Sequence, residues 1–265
     1  MMEPERYELA EPRRYTFELE RRDFIRLFGG GLVVMVAASD LVAQESGRAR
    51  PQGRGETPDL AAWLHIDEAG RVQVSTGKVE IGQNIRTSLS QTVADELRVP
   101  IASITMVMAD TDRTPYDAGT FGSQTTPRMA PQLARAAATA REMLIDQAAA
   151  RWQIDRATLT ARDGRIVATD GRALSYGELT KGQALSGTIP ASPAVDPPAK
   201  WQLRGTAVRK VDGLEFVTGR HQYTPDVVRP GMAHGRIIRP DGYGATLVSV
   251  DDAKARAMTG VTIVR

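Results

Sequence analysis

The sequence predicts an α+β fold from three observations. Two stretches place short strand-like runs on either side of a Gly-containing turn, a pattern that is typical of β-hairpins. A strand, a glycine turn and a helix follow the first of these stretches, and a long Ala-rich helix precedes the second. The 265 residues include 42% hydrophobic and 25% charged residues, so the chain is large and apolar enough for a buried core.

Composition excludes several kinds of chemistry. The 34 basic and 32 acidic residues leave a formal net charge of +2, which gives no global electrostatic case for binding nucleic acid. The chain has no cysteine, which excludes disulfides, a cysteine nucleophile, thiolate zinc sites and iron–sulfur clusters held by this chain. Its histidines, His65, His221 and His234, are too widely spaced for a local metal motif, so no metal ligand is predicted. Redox chemistry would therefore require a bound cofactor.

The N-terminus has the pattern of a targeting segment. Arg21 and Arg22 precede an apolar stretch, residues 27–38, that contains three consecutive glycines. About twelve residues are too few to cross a bilayer as a helix, so we predict a twin-arginine signal over residues 1–44 and a periplasmic location. The alternative is a buried or interfacial segment. Residues 45–59, with Gly, Pro, Arg and Gln throughout, are predicted to be a solvated linker.

The export route bears on the kind of protein expected. Because the twin-arginine route carries proteins that are already folded, it favours an extracytoplasmic redox enzyme whose cofactor is inserted beforehand. Two cleavage sites are compatible with the small residues present, one near Ala37 and Ser39 and one at residues 41–43, and the sequence does not choose between them.

The body of the chain begins with a hairpin and a strand–turn–helix unit. The hairpin covers residues 63–76, with a turn that ends in glycine. A strand at residues 79–81 follows and ends at a glycine. Leu89, Val93 and Leu97 then recur at helical spacing, which predicts a helix that stops before the next proline.

A second strand, a long helix and a second hairpin come next. The strand is predicted at residues 104–108. Thr126 as N-cap and Pro127 at the first helical position open an Ala-rich helix that extends to about Trp152. The second hairpin is predicted at residues 159–168, around an Asp-Gly turn.

A Pro-rich stretch marks the predicted domain boundary. Residues 191–202 form this linker, which separates a first domain, residues 60–190, from a second, residues 203–265. A short helix with an acidic first turn is predicted in the second domain at residues 250–258. The strands predicted there are residues 217–223, 232–238 and 261–264.

Two polar, Gly-rich loops, residues 82–84 and 119–126, each lie between a predicted strand and a predicted helix. Backbone amides at a helix N-terminus bind phosphate, and glycine lets a ligand approach the main chain closely. Gln and Ser side chains add neutral donors and acceptors suited to a pterin or nucleotide edge. Either loop alone is equally compatible with an ordinary turn, and it is the pair that favours a ligand site.

A family resemblance rests on three motifs, which are GKVEIGQ at 77–83, ADEL at 94–97 and DTDRTPYDAGTFGSQ at 110–124. They resemble the molybdopterin-binding large subunit of the xanthine dehydrogenase family, in the branch of isoquinoline 1-oxidoreductase, nicotinate dehydrogenase and membrane aldehyde dehydrogenase. Residues 219–240 are similar to that family's a/b hammerhead domain. The resemblance covers residues 60–265 and implies a molybdenum-cofactor-binding domain portion followed by an incomplete hammerhead-like domain.

The resemblance implies which residues contact the molybdopterin-type cofactor. Its two cofactor loops map onto five positions here, which are Gly82, Gln83, Gly122, Ser123 and Gln124. Asn84 stands where the family usually has a third glycine. Asparagine tolerates the left-handed backbone region better than most residues, but its side chain takes up space on the side from which the ligand approaches.

The resemblance also implies an incomplete enzyme. Family large subunits are much longer, and the glutamate that acts as general base in them lies in sequence that this chain lacks. No glutamate here has the matching Gly-rich context, so no catalytic residue is assigned among Glu80, Glu96, Glu142, Glu178 and Glu215. We therefore expect the N-terminal portion of an exported molybdenum hydroxylase, from a split gene or a fragment, that is inactive alone.

The expected reaction and partners follow from the same resemblance. The substrate is an N-heterocycle or an aldehyde, oxidised with oxygen derived from water. The partners are the remainder of the large subunit, a small [2Fe-2S] subunit and a c-type cytochrome, with no nucleic acid. The alternative is a non-catalytic periplasmic ligand-binding module, or a degenerate remnant without cofactor.

Other polar residues are assigned structural roles. Asp110, Asp112 and Asp117 resemble a calcium loop, but the position that would need a glutamate holds Phe121, so loop capping is favoured. His221 and His234 fall in predicted strands and are expected to be structural.

Overall fold

A computed structural model describes residues 30–37, 60–114, 117 and 119–264. Its main sheet contains the strands β1 (Gly31–Ala37), β2 (Leu60–Ile66), β3 (Val72–Thr76), β4 (Ile104–Met108) and β8 (Ala184–Thr188). They are arranged in the order β4-β3-β2-β1-β8. β2 runs antiparallel to both of its neighbours, whereas β3 and β4, and β1 and β8, are parallel pairs. A mixed sheet with helices packed on it confirms the α+β prediction.

β1 is formed by the apolar stretch in which the sequence predicts part of a signal segment. It pairs with β2 on one side and β8 on the other, and Leu32 and Val34 are fully buried. Its first glycine has a structural reason, because a Cβ atom at Gly31 would lie 2.3 Å from the carbonyl oxygen of Ile66. The placement corresponds to the buried segment considered as the alternative. The arginine pair, the candidate cleavage sites and the linker 45–59 lie outside the described residues.

Two helices, α1 (Ile85–Leu97) and α2 (Thr125–Trp152), pack against each other and against the main sheet. α1 buries Leu89, Val93 and Leu97, whose spacing predicts the helix. α2 begins one residue before its predicted N-cap, so Pro127 is its third residue rather than its first. Proline is tolerated there because the first four N–H groups of a helix have no partner within the helix.

A small second sheet contains β5 (Leu159–Arg162), β6 (Arg165–Ala168) and β7 (Ala173–Ser175), and the short helix α3 (Tyr176–Thr180) follows it. Asp163 and Gly164 join β5 to β6 with φ angles of 49° and 72°. A two-residue hairpin turn favours positive φ at both positions, which Asp-Gly supplies. Both predicted hairpins are therefore confirmed.

The chain after β8 crosses α1, and an adjacent acidic pair holds it there. The Asp95 carboxylate accepts hydrogen bonds from the backbone N–H groups of residues 202–204. Glu96 accepts hydrogen bonds from the side chains of Arg141 and Arg204 at 3.2 and 2.6 Å. Both acidic side chains are almost fully buried. We call residues 194–206, held in this way, the crossing segment.

The contacts divide the chain into two units after Leu214. The helix α4 (Gly213–Val217) spans this point, and α5 (Ala253–Arg256) is shorter than the predicted helix 250–258. The three strands predicted beyond residue 214 are wrong, since the described residues there form no strand. A strand is stable only where a neighbour completes its backbone hydrogen bonds, and its sequence pattern does not guarantee that neighbour. The hammerhead assignment and the domain boundaries at residues 191–202 stay predictions.

Among the described residues, no helix is both long and apolar enough to cross a membrane.

Candidate cofactor site

The first candidate loop, predicted at residues 82–84, is longer in the structure and connects β3 to α1 through residues 77–84. The strand predicted at residues 79–81 is wrong, because side chains within the loop take up the backbone groups there. The Gln83 side chain accepts a hydrogen bond from Ile81 N at 2.7 Å and donates one to the carbonyl oxygen of Val79 at 2.8 Å. The side chain of Gln83 therefore holds the loop backbone in place, although the residue is exposed.

Glu80 organises the end of this loop and the start of α1. Its carboxylate, 2% exposed, accepts N–H groups from Gly82, Asn84 and Arg86 at 2.7, 3.1 and 2.9 Å. Burial alone would raise the pKa of Glu80, but these donors and Lys210, 3.5 Å away, outweigh it and hold the pKa below its ordinary value. Glu80 thus replaces the missing side-chain cap of α1.

The backbone of the first loop explains its unusual residue types. Asn84 is the N-cap of α1 and has a φ of 67°, a left-handed conformation that glycine adopts freely and asparagine tolerates. Gly82 has a φ of 107°, and a Cβ atom added to it would meet nothing within 4 Å. The loop therefore keeps an open face at Gly82, where a ligand can approach the main chain.

The second candidate loop, described at residues 117 and 119–124, lies between β4 and α2. It touches the first loop directly: Val79 N donates to Thr120 Oγ1 at 3.0 Å, and Lys78 Nζ donates to the carbonyl oxygen of Gly119 at 2.8 Å. β3 and β4 are parallel neighbours whose last residues, Thr76 and Met108, are paired. Both loops therefore leave the same edge of the sheet, where parallel α/β folds bind ligands.

The candidate residues of the second loop are exposed. Gly122 and Ser123 have φ angles of 62° and 55°, and the N–H groups of residues 121–123 meet no acceptor within the described parts of the chain. The Gln124 side chain donates to the carbonyl oxygen of Gly122 at 3.2 Å and accepts from Arg128 Nε at 3.3 Å. α2, 28 residues long, starts immediately afterwards.

These features fit an anionic, polar cofactor with a planar ring. The N–H groups of residues 121–123 lie beside the N-terminus of a long helix, an arrangement that favours phosphate. The exposed Gln83, Ser123 and Gln124 provide neutral hydrogen-bonding groups. The exposed Ile81 and Phe121 add apolar surface beside them. The five predicted site residues are thus brought to two touching loops, while their contact with a cofactor stays a prediction.

Four of the five glutamates named in the sequence analysis have structural partners for their carboxylates. Glu96 lies in the buried cluster that holds the crossing segment, Glu142 pairs with Arg141 and Arg156, and Glu178 closes a capping box with Ser175. Glu80 is bound by its loop. Glu215 accepts backbone N–H groups through its own carbonyl oxygen.

The remaining polar candidates are also accounted for. Asp110 and Asp117 accept nearby backbone N–H groups, as expected of loop caps. His221 stacks on Phe216 with ring centroids 3.9 Å apart, and neither it nor His234 lies in a strand. Within the described residues, no group of three or more His, Asp or Glu side chains is arranged to hold a metal.

Sequence reasoning missed Lys78, Glu80 and Asp117 as residues that build the site. A signal for them was present: each is a charged residue inside a Gly-rich loop motif. Charged residues in such positions are buried only when they have partners. Lys78 and Asp117 are partners across the two loops, whereas Glu80 finds its partners in its own loop, in α1 and at Lys210.

Comparison with known proteins identifies a family match and several relatives. A family model described as the molybdopterin cofactor-binding domain matches residues 5–223. A nicotinate dehydrogenase chain of Pseudomonas putida is 34% identical over 267 residues, which cover 94% of this chain and 22% of that protein. An isoquinoline 1-oxidoreductase chain of Brevundimonas diminuta is 25% identical over 291 residues, covering 93% of this chain and 36% of that one.

The chain is shorter than the relatives that it matches. It spans 33% of the membrane-bound aldehyde dehydrogenase of Gluconacetobacter polyoxogenes, to which it is 27% identical. Among solved structures, quinoline 2-oxidoreductase from Pseudomonas putida 86 is similar with a TM-score of 0.42 and 22% identity, over 60% of this chain and 20% of that one.

Proposed function

Because the chain belongs to the family of molybdopterin cofactor-binding domains, we propose that it contributes two cofactor-holding loops to the large subunit of a molybdenum hydroxylase of the xanthine dehydrogenase family. The observation that carries this proposal is the contact between the loops, through Val79 and Thr120 and through Lys78 and Gly119. Two loops that touch at one edge of a sheet offer a single ligand donors from both.

The residues of the two loops have distinct roles in this proposal. When bound, the molybdenum cofactor supplies the redox chemistry of hydroxylation, for which water is the source of oxygen. Gly82 and Gly122 let the main chain approach the cofactor, and Gln83, Ser123 and Gln124 donate and accept hydrogen bonds at its edge. These residues bind and orient, and none of them is proposed as the general base.

The proposed substrate is an N-heterocycle or an aldehyde. The names of the relatives, nicotinate dehydrogenase, isoquinoline 1-oxidoreductase and aldehyde dehydrogenase, support these two classes. Other relatives are the large subunit of nicotine 6-hydroxylase and the large chain of a carbon monoxide dehydrogenase, which supports a multi-subunit assembly.

We propose that the remainder of a large subunit completes the site. Because this chain has no cysteine, a separate [2Fe-2S] subunit would take the electrons and pass them to a c-type cytochrome.

The periplasmic location is proposed on the arginine pair and the apolar stretch after it. The burial of Leu32 and Val34 in β1 supports the alternative, in which this stretch belongs to the fold. The two are separated by fractionating cells and determining the N-terminal sequence of the purified chain. A periplasmic chain that begins just after either candidate cleavage site, near residue 39 or residue 43, supports a cleaved signal, and a chain that retains β1 supports the alternative.

The function is tested by a matched pair of glycine substitutions, Gly82→Ala and Gly171→Ala. Both glycines have positive φ, 107° and 90°, and a Cβ atom at either would meet nothing within 4 Å. Both substitutions therefore strain the backbone in the same way, but only Gly82 faces the candidate site. The full chain would be expressed in a molybdate-fed host, alone and with the reading frame downstream of it, and its bound molybdenum and pterin measured.

We expect molybdenum and pterin to accompany the wild type and Gly171→Ala when the second chain is present. Without it we expect poor cofactor retention and little dye reduction with heterocycles or aldehydes. Gly82→Ala is expected to lose about tenfold in cofactor retention, the scale of one lost close contact. Absence of molybdenum from every sample would contradict the proposal and support a non-catalytic module. Equal retention by the two glycine variants would contradict the assignment of the first loop.

A further inference from the structure

Lys78 joins the two candidate loops through a single ammonium group. Its Nζ lies 2.9 Å from Asp117 Oδ1 and 2.8 Å from the carbonyl oxygen of Gly119. The side chains of Lys78 and Asp117 are 14% and 10% exposed, so solvent screens this ion pair far less than a surface pair. Removal of one partner from such a pair is unfavourable because it leaves the other charge partly desolvated and unpaired.

Asp117 and Thr120 continue this junction on the second loop. Asp117 Oδ1 also accepts the N–H of Gly119 at 2.9 Å, and Thr120 Oγ1 accepts the N–H of Val79 at 3.0 Å. From residue 109 to residue 124, the described residues form no helix or strand. Side-chain hydrogen bonds, rather than a strand ladder, therefore hold the second loop beside the first.

The position of Lys78 in the sequence allows it to connect two distant segments of the chain. It lies two residues after β3, whereas its partners follow β4, the parallel neighbour of β3. Its ammonium group therefore bridges two chain segments separated by the whole of α1 and β4. The neighbouring Gly82 and Gly122 are the residues at which a cofactor would approach the backbone, so the distance between those glycines depends on this bridge.

We propose that Lys78 is a positioning residue that holds the second loop against the first, so that the exposed faces of both loops meet one cofactor. This inference rests on the proposed function. Lys78 acts through Asp117 and Gly119, and it is assigned no contact with cofactor or substrate.

The expected loss of cofactor affinity depends on the fraction of molecules in which the two loops touch. If loss of the ammonium group leaves the touching arrangement occupied about a tenth of the time, the apparent affinity for the cofactor falls about tenfold, since affinity scales with the competent fraction. The same change exposes the N–H group of Val79, whose acceptor Thr120 lies on the other loop. It also removes the ion pair that holds Asp117, the acceptor of the Gly119 N–H group. Amide exchange therefore measures the junction without any cofactor.

The experiment compares three substitutions in the full chain. Lys78→Met keeps the length of the side chain and removes the ammonium group, and Lys78→Arg keeps the positive charge. Arg172→Met is the control, because it breaks an ion pair with Asp170 that lies on the exposed surface, outside both loops. The readouts are amide hydrogen exchange at Val79 and Gly119 in the cofactor-free chain, and the molybdenum and pterin retained after loading.

Lys78→Met is expected to speed exchange at both amides and to lower cofactor retention about tenfold, with Lys78→Arg closer to the wild type and Arg172→Met unchanged. Unchanged exchange at Val79 and Gly119 in Lys78→Met would overturn the junction itself. Faster exchange with unchanged retention would overturn its role toward the cofactor. If Lys78→Met does not fold, Asp117→Asn takes its place with the same expected results.

The experiment also separates this inference from the proposed function. A wild-type chain that binds no cofactor under any condition contradicts the proposed function, whereas the exchange comparison still decides whether Lys78 joins the loops.

Discussion

Two buried carboxylates, those of Glu80 and Asp95, have the same structural role in two parts of the fold. Each accepts three backbone N–H groups, and each therefore fixes a stretch of chain that has no ladder of its own. The pKa of each is held below its ordinary value: burial opposes the charge, and the donors outweigh burial. At the scale of single residues, buried carboxylates stabilise these two segments by accepting hydrogen bonds from backbone N–H groups.

Glu80→Gln is expected to weaken the first loop. Glutamine keeps one carbonyl oxygen as an acceptor but loses the charge and the second oxygen, so at least one of the three N–H groups loses its partner. The free energy of unfolding should fall by about 1–3 kcal/mol in urea denaturation at pH 7. Asp170→Asn, which changes an exposed carboxylate, is the control and should be close to neutral. An unchanged stability in Glu80→Gln would mean that the loop holds its shape without the carboxylate.

The crossing segment is expected to loosen in acid. The folded pKa of Asp95 lies below the unfolded value of about 3.9, so the stabilisation that this carboxylate gives is present above that value and is lost as pH falls through the folded pKa. Amide exchange at residues 202–204, corrected for its intrinsic dependence on pH, should rise in that window. Arg204 and Glu96 also face this group, so the comparison is made with Asp95→Asn. In that variant we expect faster exchange at neutral pH and a weaker acid dependence, and the same acid response in both chains would contradict the assignment.

At the residue scale, the five candidate positions were assigned from the sequence because their loop motifs resemble those of a known family, and their contact with a cofactor stays a prediction. Their supports could not be found in the same way. Lys78 and Asp117 meet only after the chain has passed through α1 and β4, and Asp95 meets residues 202–204 from a distant part of the chain. Sequence spacing does not report contacts of that range.

The elements of secondary structure also differ in whether local sequence predicts them. The hairpins and α1 were predictable because their patterns are local, namely an Asp-Gly turn between β5 and β6 and helical spacing of Leu89, Val93 and Leu97. The strand β1 was not, since an apolar run with glycines has the same pattern whether it is a signal segment or a strand buried on both sides. The prediction of strands after residue 214 was wrong for a different reason. The apolar pattern of a strand is present there, but the described residues form no neighbouring strand with which it could pair.

Val34→Asp tests whether β1 belongs to the folded sheet. Val34 is fully buried between β2 and β8, so an unpaired carboxylate there should lower the free energy of unfolding by about 3 kcal/mol or more. Thr160→Asp, at an exposed strand position in β5, is the matched control and should change it by about 0.5 kcal/mol or less. Equal stability of the two variants in thermal and urea unfolding would mean that the segment lies outside the fold.

At the scale of the whole molecule, the two units should differ in their resistance to protease. Four arginines of residues 215–264 are exposed and lie in irregular chain, namely Arg220, Arg229, Arg236 and Arg239. Arg141 and Arg204 are instead held in the buried cluster around Glu96. Within residues 60–264, brief digestion with trypsin should cut first after residue 214, as measured by mass spectrometry. Early cuts at Arg141 or Arg204 would contradict the structure of the crossing segment.

The pairing of β1 with β8 has a consequence for how the protein is made. The two strands lie about 150 residues apart in the chain, so the sheet is completed by a contact of long range, the kind that slows folding. At a synthesis rate of about 5–20 residues per second, β8 follows β1 by roughly 8–30 s. During that interval β2 and β3 can already pair, but β1 presents one apolar edge to the surroundings, and open apolar edges of this kind recruit other chains. The yield of soluble protein should therefore depend on how the nascent chain is protected before β8 is made.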